Sequence, residues 1–353
     1  MLDYIIVGQG LAGSLLSHFL LKKGKNIAFV DNNHTDAASA IAAGVINPIT
    51  GRNFVKSWRT DELQPFAFKT YAEIEAILGL QILYPRNVAM LFRDVETSNN
   101  WLARLSDPAL GDYITDEFDQ NAYQQTFGSS VVSGVEFQQS GRCDLPAFIV
   151  KWKEYILKKG FAYLQENFDF DQLQVYEHKV VYKNLIAKGI VFCEGHASER
   201  NPFFAHLHYS PAKGEMLLVK IPNYPFKEKM AKDGIFIVHL NDDLYWVGSS
   251  YNRDFEHNKP TTQEYNNLTN ELSAMLKMPF EVVDHLAAIR PTVRDRKPYL
   301  GSHPLHGNIH IFNGLGAKGS SIGPYFASHF ADWLNSETEL DKEVNIKRLK
   351  TLR

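Results

Sequence analysis

The chain is short of cysteine, of net charge and of long apolar runs. Its 353 residues contain two cysteines, Cys143 and Cys193, which lie far apart and outside any C-x-x-C spacing. That pattern argues against a disulfide framework or a zinc site, no metal is expected, and it suits a reducing cytoplasm. A formal net charge of −3 and a pI near 6.5 give no electrostatic reason to expect nucleic acid as a partner, although a local basic patch is compatible with both. No stretch approaches the roughly 18 uninterrupted apolar residues of a membrane span, so no transmembrane segment is expected. The apolar start has no basic n-region and carries Asp3, unlike a signal peptide. The expected location is therefore cytoplasmic. A chain of 353 residues is long for one core, which favours two domains or an interleaved pair.

What the chain does have stands at its beginning. Asp3–Val7 reads as a buried strand, followed by Gly8-Gln9-Gly10-Leu11-Ala12-Gly13 and an apolar-periodic helix closed at Lys22-Lys23-Gly24. A second strand, Asn26–Val30, ends on Asp31. Each part suits a dinucleotide. Gly8 makes the tight turn, Gly10 lets a pyrophosphate approach the backbone, and Gly13 lets the helix pack on the sheet. The amides at Leu11 and Ala12 open the helix towards the phosphates, and Asp31 can accept both hydrogen bonds of a ribose diol.

Small residues then dominate from Ala37 to Pro48, including Ser39, Ala43 and Gly44; they suit a segment running close to a large flat ligand, with an alanine-rich helical turn as the lesser alternative. Ile49–Arg59 mixes cations with aromatics. It is either a solvated loop or a stretch in which Arg52, Lys56 or Arg59 faces an anionic substrate. An amphipathic helix follows from Asp61, then a strand at Val88–Phe92 and a helix at Trp101–Leu105. The polar region 112–130 gives no readable element, and Val131–Phe137 alternates as a half-buried strand.

A helix through Ile156 and a weak hairpin at Val175–Tyr182 lead to the buried strand Ile190–Cys193. Its end, Glu194-Gly195-His196-Ala197-Ser198, suits a cofactor-facing turn, with Cys193 read as a buried apolar residue. The pattern then turns antiparallel, with strands at Glu215–Ile221, Ile235–Leu240, Leu244–Tyr251 and Val282–Ile289, and a helix at Thr262–Met275. Arg290 follows an apolar strand and precedes Pro291, which aims it from a sheet end into a cleft; Arg294, Arg296 and Lys297 read as solvated. Near the end, Ile309–Phe312 feeds Gly314-Leu315-Gly316-Ala317-Lys318-Gly319-Ser320 and a helix through Leu334. A second glycine-rich turn into a helix N-terminus, this late, favours FAD over NAD, because the helix end would stabilise negative charge on a reduced flavin.

Five blocks in this order resemble the D-amino-acid-oxidase-like FAD-dependent amine oxidoreductases. They are Gly8–Asp31, Ala43–Pro48, Phe192–Ser198 (similar to A-T/S-G-x-W/A-S), Leu286–Gly301 (similar to A-G-L-R-P-x-T-x-D-x-x-P-x-I-G) and Gly314–Pro324. The last also resembles the oxidase domain of the bifunctional enzyme that modifies tRNA wobble uridine. The resemblance implies an α/β (α+β overall) fold: a Rossmann-like FAD-binding domain of the two-lobed flavoprotein type at 1–84, 142–211 and 290–353, and an interleaved antiparallel-sheet substrate domain at 85–141 and 212–289. It implies non-covalent FAD held by Gly8, Gly10, Leu11, Ala12, Gly13, Asp31, Ser39, Ala43, Gly44, Gly195, Gly314, Gly316, Ala317, Lys318, Gly319 and Ser320. Arg290 would take a substrate carboxylate as a bidentate fork, and Lys318 would support the flavin pyrimidine end.

The implied chemistry is oxidation of the C–N bond of a small amine or amino acid bearing a carboxylate, by hydride transfer to flavin N5. Oxygen or a quinone-type carrier would be the acceptor. Phe236 stands where glycine oxidase has a substrate-contacting tyrosine, which puts a glycine-like substrate in question, and Tyr251 joins Arg52, Lys56 and Phe236 as a substrate candidate. Trp246 lies near where sarcosine-oxidase-like members place an oxygen-activating lysine. The alternatives are a tRNA wobble-uridine carboxymethylaminomethyl oxidase, or a flavin-binding protein without turnover.

Overall fold

The computed structural model describes residues 1–33, 37–51, 53–115, 117–128 and 130–349. Its mixed α/β architecture is organised by two eight-stranded sheets. The first grows from Leu2–Val7, whose Ile5, Ile6 and Val7 are buried on both faces, as expected of a central parallel strand. Ile27–Asp31 and Leu185–Phe192 flank it in parallel, with Ala162–Gln165 beyond the former. Leu185–Phe192 is shared at its other edge: its N-terminal half pairs with Val180–Tyr182, and its C-terminal half pairs in parallel with Ile309–Asn313. This sheet therefore gathers strands from the beginning, middle and end of the chain.

The second sheet has the order Glu281–Arg290, Ala212–Lys220, Leu244–Gly248, Ile235–Asn241, Lys229–Asp233, Asn87–Phe92, Ser133–Phe137 and Ile114–Thr115. Its strands come from 87–137 and 212–290. Every pairing is antiparallel except Lys229–Asp233 with Asn87–Phe92, which is parallel and joins the two chain segments. That strand is not evident in the sequence, because Lys229, Lys232 and Asp233 hide its alternation. Tyr299–Ser302 is also a strand, where the sequence suggests a loop.

Other differences are local. The expected helix at Trp101–Leu105 lies at Val95–Leu102, opened by Asp94, whose carboxylate accepts from the Thr97 amide. Region 112–130 contains the helix Gln120–Phe127, capped in the same way by Asp119. Strands Val45–Ile46, Leu83–Pro85 and Gly141–Cys143 form a small third sheet. Ala38–Ile41 is one helical turn, and its residues line the central cavity.

Two helices set the geometry of the site. Leu11–Lys22 and Gly319–Leu334 lie together on one face of the first sheet, sharing a core with Phe29, Val191 and Phe312. A Cβ on Gly319 would crowd Leu11, and one on Gly323 would crowd Leu15, so glycine sets how closely the two axes approach. No helix of the described residues is long and apolar enough to cross a membrane.

Candidate cofactor and substrate site

A cavity of about 1240 Å³ opens between the two sheets. On one side it is lined by Gly8, Gly10, Leu11, Ala12 and Asp31, on the other by Arg290, Phe236, Trp246 and Tyr251. Ser39, Ala43, Gly44, Gly195, Gly316, Ala317, Gly319 and Ser320 also line it. Gly13, Gly314, Lys318 and Lys56 do not, and Arg52 lies outside the described residues.

Gly8 and Gly13 answer to backbone, not to flexible side chains. Gly8 has φ +94, and a Cβ there would strike the carbonyl of Cys193. A Cβ on Gly13 would collide with the Gly8 carbonyl, so Gly13 acts by letting the helix seat against the turn. Gly10 is the N-cap of Leu11–Lys22, with no side-chain cap and no acid in the first turn, which leaves the helix-opening amides for an anion. Gly319 and Ser320 bring a second helix start to the same cavity, steadied by Tyr71 Oη donating to the Ser320 carbonyl at 3.0 Å and by Ser320 Oγ donating to the Val45 carbonyl at 2.9 Å. Two positive helix ends therefore face one volume.

Asp31 is less free than the sequence suggests. Its Oδ2 accepts from the Gln9 amide at 2.8 Å, and its Oδ1 from the Asn33 amide at 2.8 Å and Tyr163 Oη at 3.1 Å. With three of about four lone-pair sites in use, it has room for one ribose hydroxyl without rearrangement, where two were expected. These features fit a dinucleotide: an open turn, uncapped helix amides and a carboxylate at the second strand's end.

Arg290 ends strand Glu281–Arg290 and lies over Gly214 of the neighbouring strand, in space that a Cβ would occupy. Its Nη2 donates to Ser249 Oγ at 2.6 Å and to the Ser250 carbonyl at 3.0 Å, and the Tyr251 ring lies 5.4 Å from its guanidinium carbon. Its Nη1 is buried and has no hydrogen-bond partner among the described residues.

Lys318 turns away from the cavity: its Nζ donates to Ser57 Oγ at 2.7 Å and Thr50 Oγ1 at 3.3 Å. Burial, with repulsion from Lys232 and Arg296 added, brings its pKa down to about 8. Lys56 is spent on Asp61 at 2.6 Å, and Arg59 on Glu62 and Asp341, so neither points a cation into the cavity as the sequence allowed.

Trp246 and Tyr251, singled out from sequence, line the cavity; Ser249, Ser250, Phe255, Glu256, His257 and Asn258 line it without having been singled out. Ser249 and Ser250 steady Arg290, and Trp246 Nε1 donates to the Ile41 carbonyl at 3.0 Å. Tyr251, Phe255, Glu256, His257 and Asn258 belong to an exposed strap beside the cavity. Glu215, buried and paired with Lys213 at 2.8 Å, roots its far end by accepting from the Thr261 amide and hydroxyl. Glu194 follows the central strand and lines the cavity; burial raises its carboxyl to about 7, against donors from Asn201 at 2.7 Å and Ser198 at 3.4 Å, both to Oε2.

A nucleotide-type cavity that takes two helix N-termini on one side and a guanidinium-bearing sheet on the other defines a two-lobed flavoprotein, since a nicotinamide domain completes its site within one lobe. The chain belongs to the family of FAD-dependent oxidoreductases (DAO), whose model matches residues 3–333. It is an enzyme of that family, with FAD as its cofactor. Glycine oxidase of Bacillus subtilis (strain 168) is 22% identical over 97% of this chain and 94% of its own length. The tRNA 5-methylaminomethyl-2-thiouridine biosynthesis bifunctional protein MnmC of Idiomarina loihiensis is 21% identical over 99% of this chain and 58% of its own length. The crystal structure of glycine oxidase from Bacillus cereus ATCC 14579 aligns with a TM-score of 0.80 at 17% identity, covering 96% of each chain. At that identity, the structural likeness is one of fold.

Proposed function

We propose that this FAD-dependent oxidoreductase oxidises the C–N bond of a small amine or amino acid bearing a carboxylate. The observation that carries this is Arg290, a guanidinium against the cavity wall with one nitrogen fixed by Ser249 and Ser250 and the other without a partner among the described residues. A buried N–H group without an acceptor is costly, and a substrate carboxylate supplies one. FAD, when bound, supplies the two-electron acceptor for the hydride.

The amides of Gly10–Ala12 and the Asp31 carboxylate hold the adenylate half. Ser39, Ala43, Gly44, Gly195 and the turn Gly314–Ser320 shape the rest, with non-covalent binding. Lys318 supports the pyrimidine end through the turn it belongs to. Phe236, Trp246 and Tyr251 wall the substrate from water, and Arg290 fixes the carbon next to nitrogen. The amine reacts unprotonated, so the step asks for positioning more than for a base. The buried free cysteines are in keeping with a cytoplasmic location.

The test is Arg290→Ala: KM for a carboxylate-bearing amine rises by about 100-fold with FAD still bound. Unchanged kinetics would remove the anchor. The similarity to MnmC supports a second reading, a carboxymethylaminomethyl group on tRNA as substrate; a salt-dependent gel shift with tRNA would favour it, and none is expected from a pI near 6.5.

A further inference from the structure

Strand Leu185–Phe192 runs out beside the phosphate turn and leaves a carboxyl there. A Cβ on Gly8 would lie 3.4 Å from the Glu194 Cα, and Glu194 lines the same cavity as Gly8, Gly10 and Leu11. Every hydrogen bond to this carboxyl falls on one oxygen. Oε2 accepts from Asn201 Nδ2 at 2.7 Å and from Ser198 Oγ at 3.4 Å. Outside partners fix both directions. Asn201 Oδ1 accepts from the Phe203 amide at 2.9 Å, so the nitrogen is the end that faces Glu194. Ser198 Oγ accepts from Asn313 Nδ2 at 2.5 Å, which leaves its own hydrogen for Glu194. Asn313 is oriented in turn by its Oδ1, which accepts from the Gly314 amide at 2.8 Å.

An oxygen that accepts from two donors is not the one that carries a proton, so a proton on Glu194 belongs on Oε1. That atom has no partner among the described residues and stays accessible, on a side chain that lines the cavity. No cation balances the carboxyl: burial raises its pKa to about 7, opposed only by Asn201 and Ser198. Cys193 and Tyr209 feel its charge, but burial pushes both upward and keeps them neutral. His196, Glu199 and Arg200 of the turn it opens, and Asp31 and Arg290 further off, line the cavity without contributing to that shift. A diphosphate at Gly8–Ala12 brings negative charge into this volume and displaces its water. Two like charges with no cation between them do not both stay ionised, and the carboxyl is the one that a proton neutralises.

We infer that Glu194 is a proton-bearing cofactor contact: with FAD bound it holds a proton from solvent on Oε1, facing the cavity, so that FAD binding takes up a proton and weakens as pH rises. This goes beyond the amine chemistry and rests on the placement of the diphosphate at Gly8–Ala12.

The test is titration of the apoprotein with FAD, followed by fluorescence quenching between pH 6 and pH 9. Kd for the parent is expected to be level below about pH 6.5 and to rise at least about tenfold by pH 8.5, as the carboxyl of the empty site ionises. Calorimetry at pH 8 in two buffers of different ionisation enthalpy should show uptake of about one proton per FAD, a reading that needs no variant to fold. Glu194→Gln keeps an acceptor for Asn201 and Ser198 and presents an N–H group to the cavity. It should bind FAD with the parent's pH 6 affinity throughout and take up no proton. A parent affinity that is flat with pH, or binding without proton uptake, would overturn the inference. So would a Glu194→Gln protein that keeps the parent's slope, which would move the proton to another group such as His196. A folded apoprotein that takes up FAD at no pH would instead remove the placement of the diphosphate.

Discussion

Gly214→Ala tests the substrate anchor without touching the arginine itself. A Cβ at Gly214 would come closer than 3.0 Å to Nη2, Cζ and Nη1 of Arg290, and these are the three nearest atoms it meets. They are the far end of a flexible side chain, and Gly214 lies within a strand without a positive φ, so the backbone accepts alanine and the guanidinium moves. Moving it gives up the bonds to Ser249 Oγ and the Ser250 carbonyl and misaims the fork. A charge-assisted hydrogen bond contributes about 1.5–3 kcal/mol, so kcat/KM for a carboxylate-bearing amine should fall about 10- to 100-fold. FAD content and the urea unfolding midpoint should stay near those of the parent. Stopped-flow flavin reduction across substrate concentrations reads this directly. Wild-type kcat/KM in Gly214→Ala would refute the placement of the anchor; loss of FAD would show that the strand, not the arginine, had been disturbed.

Three further outcomes follow from the geometry. Gly13→Ala puts a methyl group into the Gly8 carbonyl, which cannot swing aside; FAD affinity by fluorescence quenching should drop at least about 100-fold, and retained affinity would contradict the tight helix seat. Glu194 has a folded pKa of about 7 against an ordinary 4.5, so its contribution to stability is fully present below 4.5 and is lost as pH rises to 7, by about 3 kcal/mol. Glu194→Gln should therefore match the parent near pH 4.5 and exceed it by about that amount at pH 8 in urea unfolding of the apoprotein; an identical pH slope would contradict the assignment. Glu215→Gln strands the buried Lys213 ammonium and weakens the root of the strap, costing about 3–5 kcal/mol and exposing 251–260 to protease; parental stability and resistance would argue against that root.

The parts of this fold that are legible in sequence are those whose constraints are local. Gly13 answers to a turn made by its own neighbours, and the strand–Gly–helix pattern announces it; Gly8 is legible through its positive φ in that turn, while its contact with the Cys193 carbonyl comes from tertiary folding. Arg290 is readable as a sheet end because an apolar strand stops there and proline follows. The cations of 49–59 are not readable, because their partners arise from tertiary folding: Arg59 meets Asp341 almost at the other end of the chain. Lys318 sits in a recognisable turn, yet its ammonium is directed by Ser57 and Thr50, which nothing in the motif reveals. The strap has no periodicity, and what holds it is a buried ion pair on a distant strand.

The most direct measurement is an anaerobic visible-absorbance titration of the purified yellow protein. The panel pairs glycine, sarcosine, D-alanine, D-proline and iminodiacetate with methylamine and dimethylamine, which lack the acid. The account predicts that the flavin bleaches with at least one carboxylate-bearing amine and with neither acid-free one. Equal bleaching by the acid-free amines would contradict the role given to Arg290, and a flavin reduced by dithionite but by none of the panel would contradict small-amine oxidation itself.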